Sequence, residues 1–353
     1  MFDLDDLDAL QANDPADMLR RINELPAQVR EAWATVQALP QPPHGEIHNV
    51  VIAGMGGSAI GGSLVRALAE PECRVPIAVN RDYHLPAYVD ENSLVIASSF
   101  SGSTEETLSA LDEALTIGAR TAAVTTGGRL AEIAQERGFP HVLFQYDAPP
   151  RAAVGHSFTL LLGLLGRFGL LADKSDEVAE AIDVMLRLQR VVGPQAPAAR
   201  NPAKDLARRI HGKVPTVYGA GLLAPVARRW KGQFNENAKT WAAFDELPEL
   251  NHNTVLGYQH PSHLSDTAFV VVLRSSLDDP QIATRLDVTA ELLEQAGIDH
   301  ATITAWGESP TAQMLSALHY ADYVSYYLAA LNHVDPTPIP TIDYLKRRLR
   351  ESG

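Results

Sequence analysis

The sequence predicts an α/β protein of two tandem units, each a parallel sheet flanked by helices, with an N-terminal helical appendage. Three observations carry this reading. From Asn49 onward short β-rich runs alternate with helical patterns, which implies parallel strands covered by helices. The same theme restarts after Gly193-Pro194-Gln195-Ala196-Pro197, where Thr216-Val217-Tyr218-Gly219-Ala220-Gly221 looks like the first strand and turn over again. The length of 353 residues is enough for two cores of ordinary size.

Along the chain, Met18, Ile22, Leu25, Val29 and Trp33 recur every three or four residues, which predicts a helix over 15–39. It stops at Pro40-Gln41-Pro42-Pro43-His44-Gly45. The first unit then reads as strand 50–53, helix 58–69, strands 76–79 and 94–97, helix 104–117, strand 120–124, helix 128–137 and strand 141–144. Asp147-Ala148-Pro149-Pro150 punctuates the chain, so the first domain, with its helices, is set at 1–150 and the second, with a helical linker, at 151–353. Thr159 to Leu171 is apolar but is broken by Arg167 and is shorter than a membrane span, so it reads as a buried helix. A charged helix over 173–192 leads to the Gly193–Pro197 linker. The second unit reads as a strand and turn at 216–221, helix 222–240, strand 268–273, helix 281–296, strand 300–305 and helix 311–331.

Composition narrows the function classes. With 43 acidic and 29 basic side chains the net charge is −14, which argues against nucleic-acid binding through a basic face. The single cysteine, Cys73, excludes an internal disulfide framework, and no Cys/His spacing suggests a zinc site. A cytoplasmic setting is expected, because Met1-Phe2-Asp3-Leu4-Asp5-Asp6 is acidic where a signal peptide is basic.

An acidic protein grips an anion with local dipoles, and two turns offer them. Ser98-Ser99-Phe100-Ser101-Gly102-Ser103-Thr104-Glu105-Glu106 follows the apolar run Leu94–Ala97 and opens a helix, whose free N–H groups and partial positive charge suit a phosphate. Gly54-Met55-Gly56-Gly57-Ser58 follows Val50–Ala53 in the same way. The glycines lack the full G-x-G-x-x-G frame of a dinucleotide site. Asn235-Glu236-Asn237 sits at the centre of the predicted 222–240 helix although asparagine is a mediocre helix former. Asn251-His252-Asn253 places a histidine between two amides, Arg151 follows the stiff Pro149-Pro150 pair, and Lys346 lies on a terminal amphipathic helix with Arg347, Arg348 and Arg350. Taken singly, an arginine or lysine of this kind is more often a surface residue, and a lone histidine more often structural.

Together and in this order, these motifs resemble the bifunctional phosphoglucose/phosphomannose isomerase family, whose members carry two sugar isomerase (SIS) domains. The resemblance runs from about Asn49 to the end. It implies that Gly57, Ser58, Ser99, Ser101 and Thr104 bind the sugar phosphate, that Glu236 is the catalytic base, and that Arg151, His252 and Lys346 complete the site. It further implies no metal and no cofactor, and a homodimer in which the histidine enters the site from the neighbouring subunit. Where the family pattern has Glu after Asn-His-Asn, this chain has Thr254. The family's mannose activity is tied to a threonine near the C-terminal helix, for which Thr337 and Thr341 both stand as candidates. The alternative is a non-catalytic SIS protein that senses sugar phosphates, but such regulators carry a basic helix-turn-helix domain and the first 45 residues here are acidic. An amidotransferase making glucosamine 6-phosphate would need an N-terminal cysteine nucleophile, whereas Cys73 lies inside the first α/β unit.

Overall fold

A computed structural model describes residues 2–42 and 45–352; Met1, Pro43, His44 and Gly353 lie outside the described residues, as do the side chains of Arg350 and Ser352. Where one N-terminal helix was expected there are three: α1 Leu7–Asn13, α2 Met18–Asn23 and α3 Leu25–Gln37. Asp6 and Asp17 accept from Ala9 N and Arg20 N to start α1 and α2. Pro26, at the start of α3, has no N–H with which to extend the ladder of α2, so the periodic stretch divides there.

The first sheet contains β1 Asn49–Ala53, β2 Ile77–Asn80, β3 Ser93–Ser99, β4 Arg120–Thr125 and β5 His141–Leu143, all parallel in the order β2-β1-β3-β4-β5. Every residue of β1 and β3 is buried, as expected of inner strands covered on both faces. Helices α4 Gly56–Ala69, α5 Glu105–Ile117 and α6 Gly128–Arg137 follow β1, β3 and β4. The greasy stretch folds as α7 Val154–Arg167, buried from Val154 through Leu165. Among the described residues no helix is long and apolar enough to cross a membrane.

After α8 Ser175–Val192 comes a helix the periodicity did not reveal, α9 Pro202–Ile210, capped by Asn201 Oδ1 accepting from Ala203 N and Lys204 N. The Gly193–Pro197 turn is pinned to it. Asn201 Nδ2 donates to Gly193 O at 2.9 Å, and the buried Lys204 Nζ donates to Pro194 O, Ala196 O and Asp5 Oδ1 at 2.8, 3.0 and 2.9 Å.

The second sheet comprises β6 Val214–Ala220, β7 Ala243–Leu247, β8 Ala268–Arg274 and β9 His300–Thr304, again all parallel, in the order β7-β6-β8-β9. Strand β7 was also unforeseen: Ala-Phe-Asp-Glu-Leu carries two carboxylates, and an edge position that leaves only Leu247 buried tolerates them. Helices α10 Ala224–Glu236, a short α11 Leu264–Thr267, α12 Pro280–Gln295, α13 Pro310–Leu331 and α14 Pro340–Ser352 complete the chain. The helix expected over 222–240 thus begins as a 3₁₀ turn, Gly221–Leu223, and its α-helical part ends at Glu236. Helix α13 is buried from Thr311 to Leu331 and packs against α8, α9 and α10. One apolar cluster runs through Val29, Ile52, Leu161, Met185, Trp230 and Tyr327, so the appendage, both sheets and the central helices share a core.

Two histidines sit in that interior without charge. His156 of α7 stacks on Phe144 with ring centres 5.0 Å apart, neither of its nitrogens has a hydrogen-bond partner, and burial pushes its pKa down to about 4. His319 of α13 is held down to about 3 by the same cause. The unfolded chain takes up these protons near 6.5 and the folded chain does not, so both histidines make stability rise with pH between about 4 and 6.5. In urea unfolding at pH 7 and pH 4.5, His156→Phe is expected to lose on the order of 2 kcal/mol less stability on acidification than the parent chain. Equal losses would mean that His156 is not buried neutral.

Candidate active site

The two sheets bring different residue types to the seam between them. At the carboxyl end of β3, Ser99 Oγ lies 2.8 Å from Thr104 Oγ1 and accepts from Gly102 N at 3.1 Å, while Ser101 Oγ accepts from Ser103 N at 3.2 Å. Gly102 adopts φ +65°, and a Cβ there would fall 1.8 Å from Gly127 O, so only glycine closes this turn. Thr104 stands at the N-terminus of α5 with no side-chain capping bond, leaving the first N–H groups of that helix unclaimed by it. Ser58, in the first turn of α4, accepts from Phe100 N at 3.2 Å and so ties the two turns together. The structure therefore gathers Ser58, Ser99, Ser101 and Thr104 around the ends of β1 and β3. Gly57 faces the other way: a Cβ on it would lie 2.8 Å from Pro150 O, and its absence lets α4 touch the turn that carries Arg151.

Arg151, on the 3₁₀ turn Pro150–Ala153, is 2% exposed. Its Nε donates to Asn237 Oδ1 at 2.8 Å, and its Nη2 donates to Pro336 O at 2.7 Å and Thr337 O at 2.8 Å. Its Nη1 donates to Glu236 Oε2 at 3.4 Å. Burial holds this guanidinium below its usual range, and the Glu236 charge works in the opposite direction. Glu236 is the last residue of α10, with its side chain one-third exposed. The Asn-Glu-Asn segment is thus a helix end and not a helix centre. Asn237 leaves the helix to bind Arg151 through Oδ1 and Ser325 Oγ of α13 through Nδ2, at 3.0 Å. These tertiary bonds outweigh its poor helix propensity.

A second buried arginine braces the first. Arg229 Nη2 donates to Arg151 O at 2.8 Å and to Asp322 Oδ1 at 3.1 Å, and Gln233 Nε2 donates to the same Asp322 oxygen. Burial raises the Asp322 pKa even though Arg229 opposes it. The sequence held a signal for this: Asp322 is the one carboxylate in the long, largely apolar α13, and a buried charge needs a partner. Lys239 carried no such signal. It has φ +53° and donates Nζ to Glu236 O at 2.7 Å, Pro336 O at 3.1 Å and Asn237 O at 3.4 Å. Burial first, then the nearby Arg151 charge, pushes its pKa down to about 8.

Arg151, Arg229, Gln233, Glu236 and Gly57 line a cavity of 300 Å³, of a size for a small ligand. A larger cleft of 860 Å³ between α3 and residues 145–147 opens widely to solvent and contains none of the expected site residues. Of the expected site residues, Gly57, Arg151 and Glu236 line the 300 Å³ cavity, Ser58, Ser99, Ser101 and Thr104 are not in its lining, and two more stand apart from it within the chain. His252, on the 3₁₀ turn Glu249–His252, and Lys346, on α14, are both exposed, and neither side chain has a hydrogen bond or ion pair among the described residues. Thr254, the departure from the family pattern, donates its hydroxyl to Asp245 Oδ2 at 2.5 Å. Thr337 has its carbonyl on Arg151 and a buried hydroxyl without a partner, whereas Thr341 is exposed on α14. Among the described residues no three His, Cys, Asp or Glu side chains gather as metal ligands.

Residues 199–349 match the family model for the bacterial phospho-glucose isomerase C-terminal SIS domain. The chain is 41% identical over 336 residues to a bifunctional phosphoglucose/phosphomannose isomerase of Caldicellulosiruptor bescii, covering 95% of this chain and 99% of that protein. It is 36% identical over 303 residues to one of Aquifex aeolicus, covering 86% and 90%. This chain belongs to the bifunctional phosphoglucose/phosphomannose isomerase family. A crystal structure of a hypothetical protein from Thermus thermophilus superposes with a TM-score of 0.75 at 18% identity, covering 98% of this chain and 94% of that one, which shows the shared two-sheet SIS fold.

Within this family member, Lys239 closes the Glu236 helix end onto the 335–337 segment only while it keeps its third proton. Activity is therefore expected to fall as pH rises through about 8. Lys239→Arg, which stays charged, is expected to shift that alkaline limb upward in a kcat/KM profile. A limb that does not move would assign it to another group.

Proposed function

We propose that the protein interconverts glucose 6-phosphate and mannose 6-phosphate with fructose 6-phosphate through a cis-enediolate, with Glu236 as the base. The observation that carries this reading is the Glu236 carboxylate, one-third exposed at the cavity, beside the buried Arg151 guanidinium at 3.4 Å. Isomerisation needs one base that takes a proton from one carbon and returns it to the next, and a carboxylate in a cleft suits that task. Negative charge develops on the enediolate oxygens. Arg151, rigidly held by three other acceptors, keeps Nη1 turned toward Glu236, and a fixed donor there stabilises developing charge without reorganising. The 6-phosphate rests on Ser58, Ser99, Ser101, Thr104 and the Gly57 backbone, and no metal or cofactor takes part. The chain divides near residue 150 into a phosphate-binding domain and a second domain that brings Glu236.

Hexose 6-phosphates exist mostly as closed rings, so a proton shuttle must open them before C1 and C2 can react. His252 and Lys346 take this role across a homodimer interface. Their exposure in the single chain fits that arrangement, and so do the apolar groups beside them in the chain: Leu256, four residues after His252, is 75% exposed, and Tyr344 and Leu345 are exposed on α14. The setting is cytoplasmic. The Thr337 hydroxyl, buried and free beside Arg151, is the specificity group for mannose 6-phosphate.

Purified protein given fructose 6-phosphate is expected to form both aldose 6-phosphates, resolved by NMR; formation of neither would sink the reading. Thr337→Val is expected to lower mannose 6-phosphate formation more than glucose 6-phosphate formation. Ser99→Ala with Ser101→Ala is expected to raise KM with little change in kcat, and a fall in kcat at constant KM would contradict the phosphate assignment. Mixed Glu236→Gln and His252→Ala proteins, each inactive alone, are expected to recover activity after subunit exchange.

A further inference from the structure

The cavity carries more positive charge than Arg151 and Arg229 account for. Arg81, which follows β2, and Arg228 of α10 both line it, together with Lys231. Arg81 Nη2 donates to Ser63 Oγ at 2.5 Å and Ala59 O at 3.3 Å, both neutral acceptors on α4. Arg228 lies over the Phe244 ring, 4.9 Å from its centre. Among the described residues neither forms an ion pair, whereas Arg151 is paired with Glu236 and Arg229 with Asp322. Burial, and then the like charges of Arg228 and Arg66, hold the Arg81 guanidinium below its usual range. The net charge of −14 means that carboxylates are plentiful elsewhere in the chain. Leaving mutually repelling arginines unpaired around a cavity is a cost that a bound anion would relieve.

Their position defines the ligand. Asn80 of β2 and Ala97 of β3 both pair with Ala53 of β1, so Arg81, directly after β2, and Ser98 and Ser99, the last residues of β3, stand near the same level on opposite flanks of β1. Two strand spacings, about 9.5 Å, separate these backbones. The serine turn thus lies on one flank of β1 and Arg81 on the other, with Gly57, in the first turn of α4 after β1, lining the cavity between them, and Arg228 reaches the cavity beside Arg81 from α10.

We propose that Arg81 and Arg228 form a second anion subsite, which takes the far-end phosphate of a hexose bisphosphate whose other phosphate rests on the serine turn. This rests on the reading of that turn as the 6-phosphate site. A phosphate ester at C1 leaves no free C1 carbonyl or hydroxyl for enediolate formation, so such a ligand occupies the site without turning over and inhibits.

The test is calorimetric titration of the full chain, at low salt, with fructose 6-phosphate and with fructose 1,6-bisphosphate. The parent protein is expected to bind the bisphosphate about tenfold more tightly, and Arg228→Gln to reduce that ratio by roughly tenfold. Arg81→Lys, which keeps the charge and loses the fork, is expected to reduce it less. Ratios equal to the parent's would overturn the subsite, as would parallel weakening of both ligands, which would assign the arginines to the 6-phosphate. A parent protein that isomerises fructose 6-phosphate but shows no preference for the bisphosphate loses the subsite and keeps the isomerase reading. Arginine-dependent bisphosphate binding by a protein that isomerises nothing keeps the subsite and loses that reading.

Discussion

The seam between the two sheets depends on the buried guanidinium of Arg151. It joins the turn after Pro150 to the end of α10 through Asn237, to the 335–337 segment through two carbonyls, and to Glu236 through its remaining nitrogen. A cation that deep is tolerable only with its donors satisfied, and removing one partner of such a set costs about 3–5 kcal/mol. The same bonds that satisfy the charge also fix its direction. Behind it, Arg229 of α10 holds the Arg151 carbonyl in place and, with Gln233, is anchored on Asp322 of the central helix α13.

This constraint explains why the site lies where it does. Parallel sheets collect loops at the carboxyl ends of their strands, and here the ends of β1 and β3 supply hydroxyls while the second unit supplies the end of α10. Gly57 lets the first unit come within contact of the Pro150–Arg151 turn. The N-terminal appendage reaches the same turn from outside. Gln28 of α3 donates to Ala152 O at 2.8 Å and accepts from Gly155 N at 3.2 Å, so the helices that precede the first sheet brace the arginine.

Much of this was legible from local pattern. The apolar runs located eight of the nine strands among the described residues, most plainly the fully buried β1 and β3, which are nearly continuously hydrophobic; β7 escaped because an edge strand can carry Asp245 and Glu246. Helix α9 escaped because nine residues with three basic side chains and one acidic one gave too short a period to read. The serine turn announced itself by composition, since hydroxyls and a glycine directly after a buried strand have few other uses. Lys239 and the carbonyls of Pro336 and Thr337 could not be foreseen. Their parts depend on backbone direction at a helix end and on a contact between segments far apart in the chain, and neither leaves a mark in residue type. His252 and Lys346 show the opposite case: the motifs single them out, yet within one chain they face solvent.

The central claim is that Glu236 moves a proton between adjacent carbons under the fixed charge of Arg151. It is tested most directly by isomerising fructose 6-phosphate in deuterium oxide and reading the hydrogen at C2 of the aldose products by NMR. The account predicts measurable deuterium at C2 with the parent protein, and neither product nor exchange with Glu236→Gln. Isomerisation with the migrating hydrogen wholly retained, or exchange that survives Glu236→Gln, would contradict it.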